Sequence, residues 1–434
     1  MRGPCRVSPM VALLLVAGAC TDDIPTSQDR DLISAEAETF EVRIPFGDLA
    51  DDVQVIGGFG APWELNLGVV ARDYLEGFEG KTLIRFGSYP TEVTVEDEDG
   101  ETQADSDLTF VGGRVVLQVD TSVVRGNGPF TLSLAATDAP WDERSATWDH
   151  AVDTLGGQVP WEEPGGGPAR ELGQGEWDPA EGDSLVVEVD SATVAEWGDT
   201  LNVNRGLRVA SASPGSRLRI RAAFLELDVE PSVNPDTVVT ESAGVRDLTF
   251  IYTPRPETGD GVLQVGGVPS LRSVFRLSLP EAVDPPEALC QRIRCPLPLS
   301  SELVVFASLM LETRTSQPPG LQLADSLALE VRPVLEPGRL PRAPVGSPAQ
   351  SRSVRLTPEL FGGGGRESVE VPITVYIRDL LDARRDGEEF PTTLALLAAS
   401  EPTPPGVATF AGSGPEGEPH LRLLITLSEG VQLP

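Results

Sequence analysis

Few residues of this chain have the type and spacing that chemistry needs, and the cysteines come first. Cys20 follows Val16-Ala17-Gly18-Ala19, behind Arg2, Arg6 and an apolar stretch from Met10 to Val16. Basic, apolar and small segments in that order read as a secretory signal over residues 1–19, and the apolar stretch is far shorter than the about 20 residues a bilayer span requires. A cysteine directly after the small residues presents a thiol for acylation. Cys20 is therefore the expected lipid-attachment residue, with a palmitate-type chain burying its methylenes in a membrane. Cys290 and Cys295 lie close enough in sequence to close a local loop. In an oxidising compartment they are expected as a disulfide, because a metal site would need more thiol or imidazole ligands than the segment offers.

Catalytic and cofactor chemistry finds little support. His150 and His420 are the two histidines, and neither stands near a recognisable nucleophile motif or forms a zinc-binding pair. Gly80-Lys81-Thr82 has the ending of a phosphate loop, but Leu75 stands where its first glycine belongs, so the segment reads as a strand entry. The acidic turn from Glu96 to Glu101 fails as an EF-hand, since counting back from Gly100 puts Val95 at the first ligand position. A hairpin centred on Asp99-Gly100 explains it, with a different type of calcium site on the surface left open. No metal site and no cofactor are expected. The 67 acidic residues could supply a pair of carboxylates for glycoside hydrolysis, so a carboxylate-dependent glycan-active enzyme stands as the alternative to a non-enzymatic chain. Trp141, Trp161 and Trp177 sit in proline- and acid-rich segments. There an indole either stacks on a sugar or a partner, or packs its loop onto the body beneath. Trp148 and Trp197 read as core, Trp197 facing inward with Val194 three residues earlier on a short helical turn.

The elements that would carry these residues are strands. Short apolar or alternating runs, among them Lys81–Phe86, Gly113–Val119, Phe130–Leu134, Ser184–Val189 and Leu218–Arg221, are separated by Gly, Pro, Asp and Asn. Forty-four glycines and 39 prolines act against long helices. A second set follows, with Arg272–Leu277, Leu303–Leu311, Leu327–Val331, Ile373–Leu381, Thr393–Ala398 and Leu421–Leu427. The expected class is all-β, as two tandem antiparallel β-sandwiches of jelly-roll or carbohydrate-binding-module type. Their bounds are 39–232 and 240–434, with the break at Val229–Ser242, where Pro231, Asn234 and Pro235 interrupt the strand pattern. Residues 20–38 read as a polar tether. Pro160–Asp183 and Glu336–Ser351 read as mobile surface insertions.

The net charge of −34, about −36 once Arg2 and Arg6 leave, repels phosphate backbones and anionic lipid surfaces. Nucleic acid is not an expected partner. The membrane is expected to hold the chain through lipid and not through a basic patch. The acidity itself keeps an exposed protein soluble and leaves room for cations or basic partners.

Val16–Cys20 resembles the bacterial lipobox, with Ala17 where leucine is commonest. Thr21 replaces the aspartate that in many Gram-negative lipoproteins marks inner-membrane retention, so the resemblance implies the cell envelope and its outer membrane. The first half also resembles the DNRLRE family of exported bacterial β-sandwich domains, over roughly Phe40 to Val229. The carrying residues are Leu83-Ile84-Arg85-Phe86, Trp141–Trp148, Val194–Trp197 and Gly206–Val209. The second half lacks the tryptophans, so this feature does not extend to it. That resemblance implies a display or adhesion module whose partner is a carbohydrate or an envelope protein.

Overall fold

The computed structural model describes residues 38–57, 68–74, 77–96, 100–154, 156–198, 206–253, 261–267, 270–316, 321–323, 325–362, 366–399, 401, 406–412 and 419–427. The signal segment, Cys20 and nearly all of the expected tether lie outside the described residues. The described chain is mostly strand, and every pairing among these residues is antiparallel, as the alternating runs predict.

The largest sheet has nine strands. Across it run Ala169–Trp177, Phe130–Thr137, Leu207–Ser211, Phe78–Phe86, Val239–Tyr252, Ser216–Pro231, Leu108–Val119 and Ser184–Val189, and Gly68–Tyr74 pairs with both Ser216–Pro231 and Phe78–Phe86. Side chains two apart share a face of a strand, so Val115, Leu117 and Val119 meet Leu185, Val187 and Val189 on one side only. Leu225, Leu227, Val229, Phe130, Leu132 and Leu134 join them in one core. The sheet curls around that core until its two end strands meet. A Cβ on Gly175 would lie 2.6 Å from Leu185 Cδ1, and one on Gly173 would lie 3.1 Å from Val187 Cγ1. Glycine at both positions lets the end strands approach.

Two further sheets face each other across a second core. One contains Glu38–Pro45, His420–Leu427, Val304–Arg314, Val407–Ala411 and Val262–Gly266, with Ser368–Pro372 also on Val304–Arg314. The other contains Ala50–Ile56, Arg272–Leu277, Thr393–Ala398, Leu327–Pro333 and Val354–Leu356. Phe40, Leu309, Leu421 and Leu423 from the first pack with Phe275, Leu329, Leu394 and Leu396 from the second, a sandwich-like arrangement. Each fully buried side chain of this kind contributes about 1.5–3 kcal/mol of transfer free energy.

Chain order and pairing order differ. Glu38–Pro45 pairs along its whole length with His420–Leu427, and Ala50–Ile56 pairs with Arg272–Leu277. The first strands thus belong with the C-terminal half, and residues 68–253 are inserted between them and their partners. The break expected at Val229–Ser242 is the turn of a hairpin, because Phe224–Val229 pairs with Val239–Gly244 inside one sheet. Pro231, Asn234 and Pro235 mark a chain reversal, with Asn234 N–H donating to the Pro231 carbonyl.

Two other expectations need correction. Ile373–Leu381 is not a strand; Thr374–Asp386 is a helix that buries Tyr376, Ile377, Leu380 and Leu381 against the second core. Its apolar positions recur every three to four residues, and Gly387, at φ +70°, supplies the left-handed residue that ends it. The supposed insertions are built parts of the fold. Ala169–Trp177 is an end strand of the large sheet, and Gln350 donates to the Leu329 carbonyl while accepting from Val331 N–H.

The acidic turn is a hairpin as expected, Val93–Glu96 pairing with Thr102–Asp105, although residues 97–99 lie outside the described residues. Cys290 and Cys295 are joined by a disulfide with a Cα separation of 5.5 Å.

Candidate functional site

Alternation leaves Lys81, Leu83 and Arg85 on the outer face of Phe78–Phe86, away from the large core that Ile84 and Phe86 enter. Register places Ile251, Thr249 and Asp247 beside them on one neighbouring strand and Arg208 opposite Leu83 on the other. Leu83 and Ile251 are apolar outer-face positions that need a cover. Residues 138–168 supply it.

Three tryptophans form that cover. Trp141 lies over Arg85, with the guanidinium carbon 4.2 Å from the ring centroid, and Arg85 also pairs with Asp247 at 2.7 Å. Trp148 lies over Lys81, whose ammonium is 4.9 Å from the ring centroid. Trp161 packs with Leu83 and Ile251 and donates its indole N–H to the Thr147 carbonyl at 2.8 Å. The backbone adds Leu248 N–H donating to Glu143 Oε1 and Trp161 N–H donating to the Asp149 carbonyl. Cation and indole face attract through the ring quadrupole, so these pairs hold the cover as well as fill it.

The cover ends in Gly165-Gly166-Gly167, with φ of 85°, 97° and 64° in order. Three successive left-handed residues turn carbonyls toward the sheet at a steric cost that only glycine avoids. Lys81 Nζ donates to the Gly165 carbonyl at 2.9 Å and Arg208 Nη1 donates to the Gly167 carbonyl at 2.7 Å. Burial pushes the Lys81 ammonium down to about 8, and the neighbouring Arg208 charge adds to the shift. Burial lowers Arg208 likewise, and its Nε is buried without a hydrogen-bond partner.

Of the three tryptophans for which ligand stacking and packing were both open, none presents a face to solvent. Trp141, Trp161 and Trp177 are 3%, 5% and 3% exposed. Trp177 lies in the large core, stacked 5.9 Å from Phe130, with its indole N–H donated to the Gly182 carbonyl. The packing alternative is the one realised, because each loop places its indole on apolar surface of the chain itself. Trp148, read as core, is half-buried on the outer face instead. Trp197 is in the core as read, on the helix Ser191–Gly198 with Thr193 and Val194, its ring 5.6 Å from Phe86. Asp190 starts that helix, accepting from Thr193 N–H at 2.9 Å.

Sequence reasoning passed over Lys81 as a bioactive residue once the phosphate-loop idea failed. Composition held a signal: Lys81 is the sole lysine of the chain, the other 32 of its 33 lysine and arginine residues being arginine. The tri-glycine run at 165–167 was a second signal, read only as part of a loop.

Among the described residues, carboxylate chemistry has one candidate of suitable direction. Burial pushes the Glu401 carboxyl upward, as a general acid would need. Arg272 holds both its oxygens, with Nε at 2.9 and 3.0 Å. That ion pair favours the ionised carboxylate and so works against the upward push of burial. Among the described residues no group of three His, Cys, Asp or Glu side chains is placed to hold a metal ion. Comparison with protein-family models, with characterised proteins and with solved structures finds no match to this chain.

Proposed function

We propose that the chain is a non-catalytic lipoprotein of the bacterial envelope, held on the outer membrane through Cys20, whose β units bind a carbohydrate or an envelope protein. The lipobox-like run Val16–Cys20 carries the reading. A mostly β body with a disulfide in its second half supports it, since such a bond persists in an oxidising compartment. The finer architecture belongs to the same proposal: two β units displayed together, the rolled nine-stranded sheet emerging from within the sandwich-like one, with a DNRLRE-type display role for the first.

Cys20→Ser in the full chain, followed by fractionation of the envelope, tests the anchor. The variant is expected in the soluble fraction, and continued membrane attachment would refute it. A glycan array with pull-down from envelope extracts tests the binding role; silence in both, together with turnover of a polysaccharide, would replace it with catalysis.

A further inference from the structure

In a chain of net charge −34, a buried or half-buried cation has carboxylates to choose from. Arg85, Arg219, Arg272 and Arg342 each pair with one. Among the described residues Lys81 and Arg208 do not, and neither does the buried Arg217, which lies over the Tyr74 ring. Lys81 and Arg208 are each half-buried, each donates to a single glycine carbonyl, at 2.9 and 2.7 Å, and Lys81 feels Arg208 as a like charge. Glu79, Asp138 and Glu163 act on them only at longer range, and Glu79 itself lies 3.4 Å from Arg72. An ammonium has three donors and a guanidinium five, so most of their donating capacity is unspent. Two like charges brought together in a partly desolvated place cost free energy that an anion between them would recover.

We propose that Lys81 and Arg208, beside the half-buried Trp148 indole, form a subsite for an oxyanion carried on a sugar, either a uronate carboxylate or a sulfate ester. The tri-glycine turn gives the site its shape. A side chain at Gly165 would come within 2.8 Å of Lys81 Nζ, and one at Gly166 within 3.0 Å of Arg208 Cδ, so any other residue there would crowd both cations. Trp148 favours a sugar over an acidic peptide as the carrier, because an indole at the edge of a cation pair offers a surface for the C–H face of a pyranose ring. Lysine at 81 fits the same reading. A compact ammonium shares space with Trp148 and Gly165, where a planar guanidinium would need more room.

This rests on the binding role proposed above and names its ligand. The sole side-chain amine makes the test direct. Reductive methylation of the full chain with labelled formaldehyde places an NMR probe on Lys81, which is then titrated with an oligouronate, a sulfated oligosaccharide, a neutral dextran oligomer and an oligoglutamate. The Lys81 signal is expected to move with one or both acidic sugars, and its titration midpoint to rise as the bound anion stabilises the ammonium. Calorimetry on unlabelled protein should show Lys81→Met and Arg208→Met each weakening that sugar about tenfold or more. A still signal with both acidic sugars overturns the proposal, even if the Arg208 variant fails to fold. An equal response to dextran or to oligoglutamate overturns it as well. Failure here leaves the anchored binding role standing, since a neutral glycan or an envelope protein bound elsewhere would satisfy that role.

Discussion

Lys81 carries a charge in a place that disfavours it, and pH exposes the consequence. Its ordinary value of 10.5 falls to about 8 on burial beside Arg208. Between those two values the unfolded chain binds the additional proton, so stability rises with pH through that window. Lys81→Met removes the titrating group. Denaturant midpoints of parent and variant, compared at pH 7 and pH 10, should therefore show the parent gaining on the variant at the higher pH; a constant difference would mean that Lys81 titrates normally. Arg272 has the opposite task of sustaining a buried charge. Arg272→Ala leaves Glu401 without its cation and should cost about 3–5 kcal/mol at neutral pH, measured by urea unfolding. The loss should shrink as acid protonates Glu401, whereas Glu401→Gln should show no such recovery. Residue types revealed part of this in advance. Trp197 and Val194 announced a buried turn by their spacing, but Trp141 and Trp161 were ambiguous because proline and acid around an indole describe the rim of a loop without saying what lies beneath it. What lies beneath is Leu83 and Ile251, far away in sequence.

Elements were legible where alternation was clean and misread where two periods overlapped. Ile373-Thr374-Val375-Tyr376-Ile377 is rich in β-branched and aromatic residues, which suits a strand, yet Tyr376, Ile377, Leu380 and Leu381 also make one helical face. Tertiary burial of that face decided the matter. The hairpin His150–Thr154 with Gly157–Pro160 shows another limit, since its partner lies in the other half of the chain. Asp153 in that hairpin accepts from Arg342 Nη2 at 2.9 Å and from Nε at 3.2 Å. Burial opposes ionisation of Asp153, but Gln158 and Arg342 outweigh it and hold the carboxyl below its usual range. The two side chains are 12% and 20% exposed, well shielded from the screening that reduces surface pairs to at most about 1 kcal/mol. A double-mutant cycle over Asp153→Asn and Arg342→Met should give a coupling of about 1 kcal/mol or more. A coupling near zero would mean that the tryptophan cover is held by the sheet beneath it alone.

At the scale of the whole molecule, the two halves of the sequence are not the two halves of the fold. Strand order along the chain repeats well enough to suggest tandem units, because sequence periodicity records elements and not their partners. Pairing of Glu38–Pro45 with His420–Leu427 sets the boundary elsewhere, joining the described ends of the chain and enclosing residues 68–253. This arrangement makes a prediction about fragments. A piece spanning 68–253 contains all nine strands of the large sheet and the core they enclose, and it should be soluble and unfold cooperatively. A piece spanning 39–232 lacks Val239–Tyr252, which separates Phe78–Phe86 from Ser216–Pro231 in the sheet. Its loss opens two interior strands as unpaired edges, and Glu38–Pro45 and Ala50–Ile56 are stranded without partners. That piece should aggregate or melt without cooperativity, and 240–434, missing the same two strands, should lose much of its stability. Circular dichroism and calorimetry on the three fragments decide between the arrangements. Cooperative unfolding of 39–232 and 240–434, with failure of 68–253, would restore the tandem order that chain position alone suggests.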